Sequence, residues 1–334
     1  MLRLPAFRLR QPTSLAEACR ILSGEGPAAR VVAGGTDLWP NLKRRNQKAS
    51  TVISLARVPE LAGVRAGGEV RLGAMETLAD LERAPALVTR YPALARAIGS
   101  ISSPVLRNLG TLGGNVCLDT RCTYYDQNEE WRRSIHYCMK AEGRICWVAP
   151  SSPRCWAVQS ADSAPMLVAL DARVRLASSA GEREIPVAAL YRDDGIDYLA
   201  KRPDEIVAEV ALPAESDAAH LRTAFFKLRR RGSIDFGVLS VAVALRTEGG
   251  RVTDARVVLG SIASFPSPAG EVARALIGAP LTTESIRAAA QRSRAAATPM
   301  DNTDFDPRWR GQVTPVYVER TLRAAAGLDA ADGA

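Results

Sequence analysis

Short apolar runs separated by glycines and polar segments divide the N-terminal part of the chain into alternating predicted strands and helices. "AFRLRQP" is typical of an extended segment, and "TSLAEACRILSGEG" predicts a helix that begins at a Thr or Ser cap and ends in glycines. Cys19 falls on the apolar side of this helix with Leu15 and Leu22, so we expect a core thiol. β-branched runs predict strands at "ARVVAGG" and "ASTVISL".

The rest of the pattern predicts two further helices and then a strand-rich half. "VRLGAMETLADLERA" predicts a strand that passes into a helix near Thr77 or Glu76, and "YPALARAIGSI" predicts a helix. "SADSAPMLVALDARVRLAS" is typical of a helix and a strand, and "EIVAEVALP" of another strand. "GVLSVAVALRTEGGRVTDARVVLGSI" predicts a hairpin that turns at Gly-Gly, and "LTTESIRAAAQRSRAAA" a helix. The polar stretch at 213–221, which contains His220, indicates a domain boundary.

Length and composition indicate a folded protein of two or three domains, since 334 residues exceed one compact core of usual size. The N-terminus lacks the apolar segment of a signal peptide, and "VLSVAVAL" is far too short to cross a bilayer. We therefore expect a cytoplasmic protein. Structural disulfides are rare in that reducing compartment, so the six cysteines favour metal binding or redox chemistry.

The formal net charge of +8 suggests an anionic ligand, an acidic partner or nucleic acid. The arginines are scattered, however, and cluster only at 43–45 and 227–231. No nucleic-acid-binding motif accompanies them, so neither DNA nor RNA is an expected partner.

Two glycine-rich segments are candidates for ligand binding. "VVAGGTDL" (31–38) and "RNLGTLGGN" (107–115) each place adjacent glycines beside short hydrogen-bonding side chains. Adjacent glycines let the backbone approach a ligand and adopt positive φ, so that successive N–H groups can line an anion site such as one for a pyrophosphate. Neither segment has the spacing of the usual nucleotide-binding motifs, and tight turns remain an alternative.

These two segments, followed by "SADSAPMLVALDARVRL" and "FFKLRRRGSIDFGVLSVAVAL", occur in one order along the chain. With these four motifs the chain resembles the flavin-binding subunit of the xanthine dehydrogenase and aldehyde oxidase family of molybdenum hydroxylases, from about residue 4 to about 325. The resemblance implies an α+β protein with a vanillyl-alcohol-oxidase-type FAD-binding domain of two α/β subdomains. A C-terminal domain of antiparallel sheet with helices would follow. The expected limits are 1–57 and 58–215 for the subdomains, 220–326 for the C-terminal domain and 327–334 for a tail.

The resemblance also implies which residues bind FAD. Ala33 to Leu38 would wrap the pyrophosphate, and Thr111, Gly114 and Asn115 would hold the phosphates and ribityl chain from the other side. Asp162 would bind a ribityl or flavin-side hydroxyl, although a helix N-cap is an alternative role. Leu170 would lie near the adenine, and Lys227 near the isoalloxazine, unless it is a surface lysine. The full implied set is Val32, Ala33, Gly34, Gly35, Thr36, Asp37, Leu38, Arg107, Thr111, Gly113, Gly114, Asn115, Asp162, Leu170 and Lys227.

Neither histidine, His136 or His220, occupies a position that would tether a flavin covalently, so we expect non-covalent FAD. No bond chemistry on the organic substrate is expected of this chain. Its implied role is electron transfer.

Between the second glycine segment and Asp162 the chain carries an insert, at about 117–160, that ordinary members of the family lack. It contains Cys122, Cys138, Cys146 and Cys155, separated by 15, 7 and 8 residues. Four thiolates bind either zinc or an iron–sulfur cluster, and the lack of a Cys-x-x-Cys pair disfavours zinc. A satellite core of cysteines and tryptophans is a further alternative. The insert resembles that of the 4-hydroxybenzoyl-CoA reductase branch of the family, which implies a 4Fe-4S cluster on these cysteines, shielded by Trp131, Trp147 and Trp156.

On this resemblance, electrons would pass from a low-potential donor such as ferredoxin to the 4Fe-4S cluster and FAD. They would continue to 2Fe-2S clusters on a small subunit and to molybdopterin on a large subunit. The reaction would be the reductive removal of an aromatic hydroxyl from a CoA thioester. Two alternatives stay open: the flavin subunit of an ordinary molybdenum hydroxylase that passes electrons to NAD or another acceptor, and a zinc-stabilised interaction protein without redox function.

Overall fold

The computed structural model describes residues 2–214 and 221–328. Its strands are β1 (Arg8–Arg10), β2 (Ala29–Val32), β3 (Thr51–Ser54), β4 (Val64–Ala66), β5 (Glu69–Gly73), β6 (Arg173–Ser178), β7 (Gly181–Pro186), β8 (Ile206–Ala214), β9 (Leu221–Leu228), β10 (Leu239–Glu248), β11 (Arg251–Gly260) and β12 (Ser267–Pro268). Its helices are α1 (Leu15–Glu25), α2 (Leu38–Lys43), α3 (Leu78–Leu81), α4 (Pro85–Arg90), α5 (Pro92–Gly99), α6 (Pro104–Arg107), α7 (Leu112–Val116), α8 (Glu129–Ser134), α9 (Ser163–Ala169), α10 (Gly270–Leu276), α11 (Thr283–Gln291) and α12 (Pro307–Ala326). The predicted linker residue His220 lies outside the described residues.

The N-terminal sheet has three parallel strands in the order β1-β3-β2, and α1 packs against it. The side chain of Ser14 accepts a hydrogen bond from the N–H of Glu17, and Gly26 follows the helix with φ of 64°. The predicted polar cap and terminal glycine therefore bound this helix as expected. Cys19 is 1% exposed within the apolar cluster below α1, which confirms the predicted core thiol.

A second sheet has five antiparallel strands in the order β4-β5-β8-β6-β7. Apolar residues from α3, α5, α7 and α9 share its main hydrophobic core. Thr77, rather than Glu76, caps α3, since its side chain accepts from the N–H of Asp80. The helices α7 and α9, which flank the insert in the sequence, both belong to this helix layer.

The C-terminal sheet is antiparallel, in the order β12-β11-β10-β9, and β10 shows how it divides two cores. Leu239, Val241 and Val243 on one face of β10 pack under α10, α11 and α12, whereas Ala242 and Ala244 on the other face belong to the main core. The period of two along a strand produces this division, and the small alanines leave room for α5 and α9. Together with the N-terminal half, this arrangement confirms the predicted α+β class.

The insert contains little regular structure apart from α8, and it is attached at its neck and to the C-terminal region. Arg121 and Val158 exchange backbone hydrogen bonds of 2.8 and 2.7 Å, which close its neck. The carbonyl of Asn302 accepts a hydrogen bond from the N–H of Thr123, and its amide donates to the carbonyl of Trp156. The insert is thus held against the C-terminal region as well as against its own neck.

Across the described ranges, none of the helices combines the length and apolarity that crossing a bilayer requires.

Candidate functional site

A cavity of about 1420 Å³ lies between the N-terminal half, the insert and the C-terminal region of the chain. Its walls combine the two glycine segments, the segment after α2, parts of the insert, the start of β8 and the loop before β10. The lining residues that carry the arguments below are Ala33, Gly34, Gly35, Thr36, Asp37, Gln47, Arg107, Thr111, Gly114, Asn115, Asp119, Arg121, Tyr125, Lys140, Asp162, Tyr198, Ile206 and Phe236. Ligand pockets are usually about 300 to 1,000 Å³, so this cavity is large enough for an extended molecule.

The first glycine segment is shaped by close approach to the second. A Cβ atom on Gly34 would lie 1.7 Å from the carbonyl oxygen of Leu109, so no larger residue fits at this position. Gly35 has φ of 73°, and a Cβ there would meet the indole of Trp39. The Gly-Gly pair therefore lets this loop pass between the second segment and α2 while its backbone faces the cavity.

The second glycine segment is capped and packed from the other side. The side chain of Thr111 accepts a hydrogen bond of 3.1 Å from the N–H of Gly114. A Cβ on Gly113 would come within 2.7 Å of Ala74, which presses the segment against the end of β5. The side-chain oxygen of Asn115 accepts a hydrogen bond of 2.6 Å from the hydroxyl of Ser163, which ties α7 to α9.

Asp162 and Lys227 form a buried ion pair at the edge of the cavity. The two charged atoms are 2.6 Å apart, and the side chains are 4% and 3% exposed. The ammonium group also donates to the carbonyl of Ser100, at 3.1 Å. Burial raises the pKa of Asp162, and the Lys227 ammonium opposes that shift. The second carboxylate oxygen of Asp162 is buried and has no hydrogen-bond partner, so it is an acceptor available to a ligand in the cavity.

The N-cap alternative for Asp162 is not what the structure shows. Asp162 precedes α9, but its side chain makes no capping hydrogen bond to the helix. The carboxylate points instead to Lys227 on β9. Lys227 is a buried residue of the sheet and not a surface lysine.

Most of the sequence-predicted site residues meet at this cavity, but two do not line it. Leu170 is 1% exposed in the main core. Lys227 reaches the cavity only through Asp162. Ile206 and Val207, at the start of β8, also line the cavity, and nothing in their apolar pattern distinguished them from other strand residues. Arg107 lines the cavity, but it is paired with Glu82 at 2.7 Å and donates to the carbonyl of Ile101.

Asp37 lies in a group of charges that sequence reasoning missed. Burial raises its pKa to about 6, and the neighbouring carboxylates of Asp119 and Asp126 act in the same direction. Arg121, from the insert, opposes that shift from 3.7 Å. The Arg121 guanidinium also stacks on the ring of Phe236, 3.9 Å from its centre. These residues are distant in sequence, so no spacing could have grouped them.

The four cysteines of the insert are all free and buried, each 4 to 6% exposed. Cys122, Cys138 and Cys155 form one buried cluster with Tyr125, and Trp147 packs against it. Burial raises the pKa of Cys122 to about 12 and that of Cys155 to about 11, and charge on Cys146 would raise both further. Three of the four thiols thus share one buried cluster, and Cys146 is buried outside it.

The surroundings of these cysteines differ in part from expectation. Trp131 is 37% exposed and packs near Tyr124, outside the cysteine cluster. Trp156 is covered by the guanidinium of Arg154, at 3.6 Å. His136, which lies in the insert, is exposed. In the part of the chain that the structure describes, no group of three or more His, Cys, Asp or Glu is arranged to hold a metal ion.

The insert is joined to the segment that follows α2. The hydroxyl of Tyr125 donates to the carbonyl of Asn46, at 2.7 Å, and the Asn46 amide donates back to the carbonyl of Tyr125, at 3.2 Å. Arg132, only 1% exposed, donates to the carbonyl of Arg44. Tyr125 belongs both to the cysteine cluster and to the cavity wall. The cavity and the cysteines therefore share one wall.

Comparison with protein families gives two consecutive matches that cover most of the chain. Residues 5–215 match the FAD binding domain in molybdopterin dehydrogenase, and residues 224–325 match the CO dehydrogenase flavoprotein C-terminal domain. The first match holds both glycine segments, the insert and Asp162. The second holds Lys227.

Several curated proteins are similar along nearly the whole chain. The carbon monoxide dehydrogenase medium chain of Hydrogenophaga pseudoflava is 27% identical, over 96% of this chain and 97% of that protein. The nicotine 6-hydroxylase medium subunit of Paenarthrobacter nicotinovorans is 26% identical, over 96% and 98%. An aldehyde oxidoreductase FAD-binding subunit of Escherichia coli is 30% identical, over 79% and 83%.

Solved structures agree with these similarities. A chain of carbon monoxide dehydrogenase from Hydrogenophaga pseudoflava, in a form that lacks the Mo-pyranopterin moiety of the molybdenum cofactor, superimposes with a TM-score of 0.80. It is 27% identical, over 98% of this chain and 100% of that one. A chain of quinoline 2-oxidoreductase from Pseudomonas putida has the same fold, with a TM-score of 0.75.

Proposed function

The chain belongs to the family of FAD-binding medium subunits of the carbon monoxide dehydrogenase and xanthine dehydrogenase type, and on this premise we propose that it holds FAD in the cavity and relays electrons within a molybdenum-containing oxidoreductase. The observation that carries the proposal is the meeting of both glycine segments and Asp162 around one large cavity. FAD exchanges one or two electrons, so it can connect one-electron carriers to a two-electron reaction.

The residues at the cavity fit this cofactor. Backbone from Ala33 to Leu38 would hold the pyrophosphate, because Gly34 and Gly35 let that loop line the wall without side chains. Thr111, Gly114 and Asn115 would face the phosphates and ribityl chain from the opposite wall. The unpartnered oxygen of Asp162 would accept a hydrogen bond from a ribityl or flavin-side hydroxyl.

The Lys227 ammonium would neutralise the Asp162 carboxylate beside the flavin, so that this carboxylate does not oppose negative charge on the reduced flavin.

We further propose that the insert holds a 4Fe-4S cluster on Cys122, Cys138, Cys146 and Cys155. Its support is the donor set: four free, buried thiols in the insert, three of which share one cluster. Buried thiols with raised pKa values stay protonated on their own, and binding iron would deprotonate them.

This arrangement defines a proposed path for electrons. They would enter from a low-potential, ferredoxin-like donor at the insert, reach FAD across the shared wall, and continue to a 2Fe-2S small subunit and a molybdopterin-binding large subunit. The reaction that we propose is reduction of an aryl-CoA thioester of the 4-hydroxybenzoyl-CoA type. The insert is the feature that favours this reaction over its alternatives.

A second candidate function rests on the named relatives. The carbon monoxide dehydrogenase medium chain and the nicotine 6-hydroxylase medium subunit are parts of oxidising enzymes by name. A chain with the same role would pass electrons outward from FAD to NAD or another acceptor, and the insert would serve only as a docking loop. This function needs no iron on the chain.

Metal and flavin analysis after strictly anaerobic purification distinguishes the two. About four irons, four sulfides and one FAD per chain are expected for the cluster-bearing subunit. FAD without iron would support the second function and contradict the cluster. Zinc without flavin would contradict both functions and support a zinc-stabilised interaction protein without redox function.

A further inference from the structure

We propose that Lys140 is a positioning residue that places a fixed positive charge in the wall between the cysteines of the insert and the cavity, and so favours the reduced states of the centres on both sides. This inference rests on the proposed function and adds to it a residue that controls the energy of electron transfer. Lys140 is neither one of the cysteines nor part of a glycine segment.

The ammonium group of Lys140 is buried and held by three acceptors. The side chain is 6% exposed. Its nitrogen lies 2.8 Å from a carboxylate oxygen of Asp119, 2.8 Å from the hydroxyl of Thr120 and 2.7 Å from the carbonyl oxygen of Gly195. An ammonium has three donors, so all are used. The charge therefore has one position and cannot swing into solvent.

One of these acceptors connects Lys140 to the cysteine side. The N–H of Gly195 donates to the carbonyl of Cys155, at 2.9 Å, and a Cβ on Gly195 would lie 2.7 Å from the Cys155 sulfur. The Lys140 nitrogen also lies 5.0 Å from the centre of the Tyr125 ring, and Tyr125 packs in the cysteine cluster. Gly195 and Tyr125 therefore connect the Lys140 ammonium to the cysteine cluster.

The other contacts lead to the cavity. Asp119 uses its second oxygen to accept a hydrogen bond of 2.9 Å from the amide of Gln47, which lines the cavity. The ring of Tyr198, also in the cavity wall, has its centre 5.5 Å from the Lys140 nitrogen. Asp119, the negative partner of Lys140, therefore lies on the side of Gln47, whereas the acceptor Gly195 lies on the side of Cys155.

A charge in this position acts on both sides because little water screens it. In the protein interior the interaction between charges is several times stronger than in water. The same ammonium opposes the rise in the pKa of Asp37 on the cavity side. An electron added to either centre is a negative charge, so Lys140 lowers the free energy of each reduced state.

Redox titration of the purified protein with dithionite and mediators tests the inference. One electron enters the cluster, followed by its paramagnetic signal, and two electrons enter FAD, followed by its absorbance. Lys140→Met should shift the cluster midpoint potential to more negative values, and the flavin potential by less, because Asp119 remains as an uncompensated negative charge. Lys140→Arg keeps the charge and should retain most of the wild-type potential. Lys43→Met, which removes an exposed lysine at the end of α2 that does not line the cavity, is the matched control and should shift neither.

Two more variants separate charge from packing. Asp119→Asn removes the negative partner and should shift the cluster potential in the opposite direction. The double variant Lys140→Met, Asp119→Asn restores neutrality and should return toward wild type. If Lys140→Met fails to fold, Asp119→Asn and Lys140→Arg still decide. A potential for Lys140→Met equal to that of Lys43→Met, or a shift of the same sign for Asp119→Asn, would overturn the inference.

The failure of the proposed function gives a different result. A wild-type chain with FAD and no iron overturns the cluster, and the inference is then decided by the flavin potential in the same variants. A wild-type chain with neither group overturns both. Iron and FAD in wild type with unchanged potentials in every variant overturn only the role of Lys140.

Discussion

Gly34 and Gly35 illustrate how single residues set the cavity wall. Their adjacency predicted close backbone approach, and the clearances supply the reason: the carbonyl of Leu109 leaves no room at Gly34, and Trp39 leaves none at Gly35. Asp162 is a residue for which two roles were open, and its contact with Lys227 decides between them. For Gly34 and Asp162 the neighbour that sets the role lies far away in the sequence, whereas Trp39 is close to Gly35 along the chain.

Gly34→Ala should reduce FAD binding at least about tenfold, because the added methyl would overlap the Leu109 carbonyl and push the loop into the cavity. Overpacking of this kind costs about 1 to 3 kcal/mol. Flavin fluorescence titration of the apoprotein measures the change. Gly24→Ala is the control, since a Cβ there meets nothing within 4 Å. Equal affinity in the two variants would contradict the assignment of the loop.

Asp37 should make the unfolding free energy of the apoprotein depend on pH. Its pKa is about 6 in the folded protein and 3.8 without perturbation, so the folded state binds the extra proton between these values. Stability should therefore fall as pH rises from about 4 to 6, by about 2 kcal/mol, a figure that allows for partial solvent screening. Urea unfolding at a series of pH values measures the slope. Asp37→Asn should flatten it, and an identical slope in the variant would refute the assignment.

Among the elements, the amphipathic and β-branched ones were predictable and the short or interrupted ones were not. The helix α1 and the hairpin between β10 and β11 have clear caps and turns, including Gly249 and Gly250 with positive φ. The long helix α12 was missed because Pro315 lies inside it and interrupts a helical pattern. The insert was recognised by its cysteines, but its attachment to Asn46 and Asn302 was not.

Cys146→Ser should remove iron from the chain and leave FAD bound, because Cys146 lies in the insert and does not line the cavity. Iron and flavin analysis after anaerobic purification measures both. Cys19→Ala, in the core under α1, is the control and should keep the iron content of wild type. Loss of flavin together with iron would mean that the insert is required for the flavin site.

Across the whole molecule, the cavity exists because three regions meet, and the Asp162–Lys227 pair joins two of them. Asp162 precedes α9 in the N-terminal half, whereas Lys227 lies on β9 of the C-terminal sheet. The insert adds a third wall and contacts the C-terminal region through Asn302. A substitution that removes one of these contacts should therefore destabilise more than one region of the molecule.

Asp162→Asn should destabilise the apoprotein by about 3 to 5 kcal/mol, because it leaves the Lys227 ammonium buried without a counter-charge. The double variant Asp162→Asn, Lys227→Met removes both charges and should recover most of that loss. Urea unfolding of the wild type, of Asp162→Asn, of Lys227→Met and of the double variant gives the coupling free energy. A single variant that costs less than about 1 kcal/mol, or two costs that simply add, would show that the pair does not join the halves.

Local information in the chain was enough for both glycine loops and for individual caps, turns and strands, because these are properties of neighbouring residues. The α+β class and the insert with its four cysteines were implied by the resemblance of the ordered motifs to a known family. Contacts across the fold were required for the rest. Lys140, Arg121 and Ile206 reach the cavity only when three regions pack together, and the same packing excludes Leu170. A pattern along the chain records which side of an element is apolar, whereas the partner of that side depends on packing between distant segments.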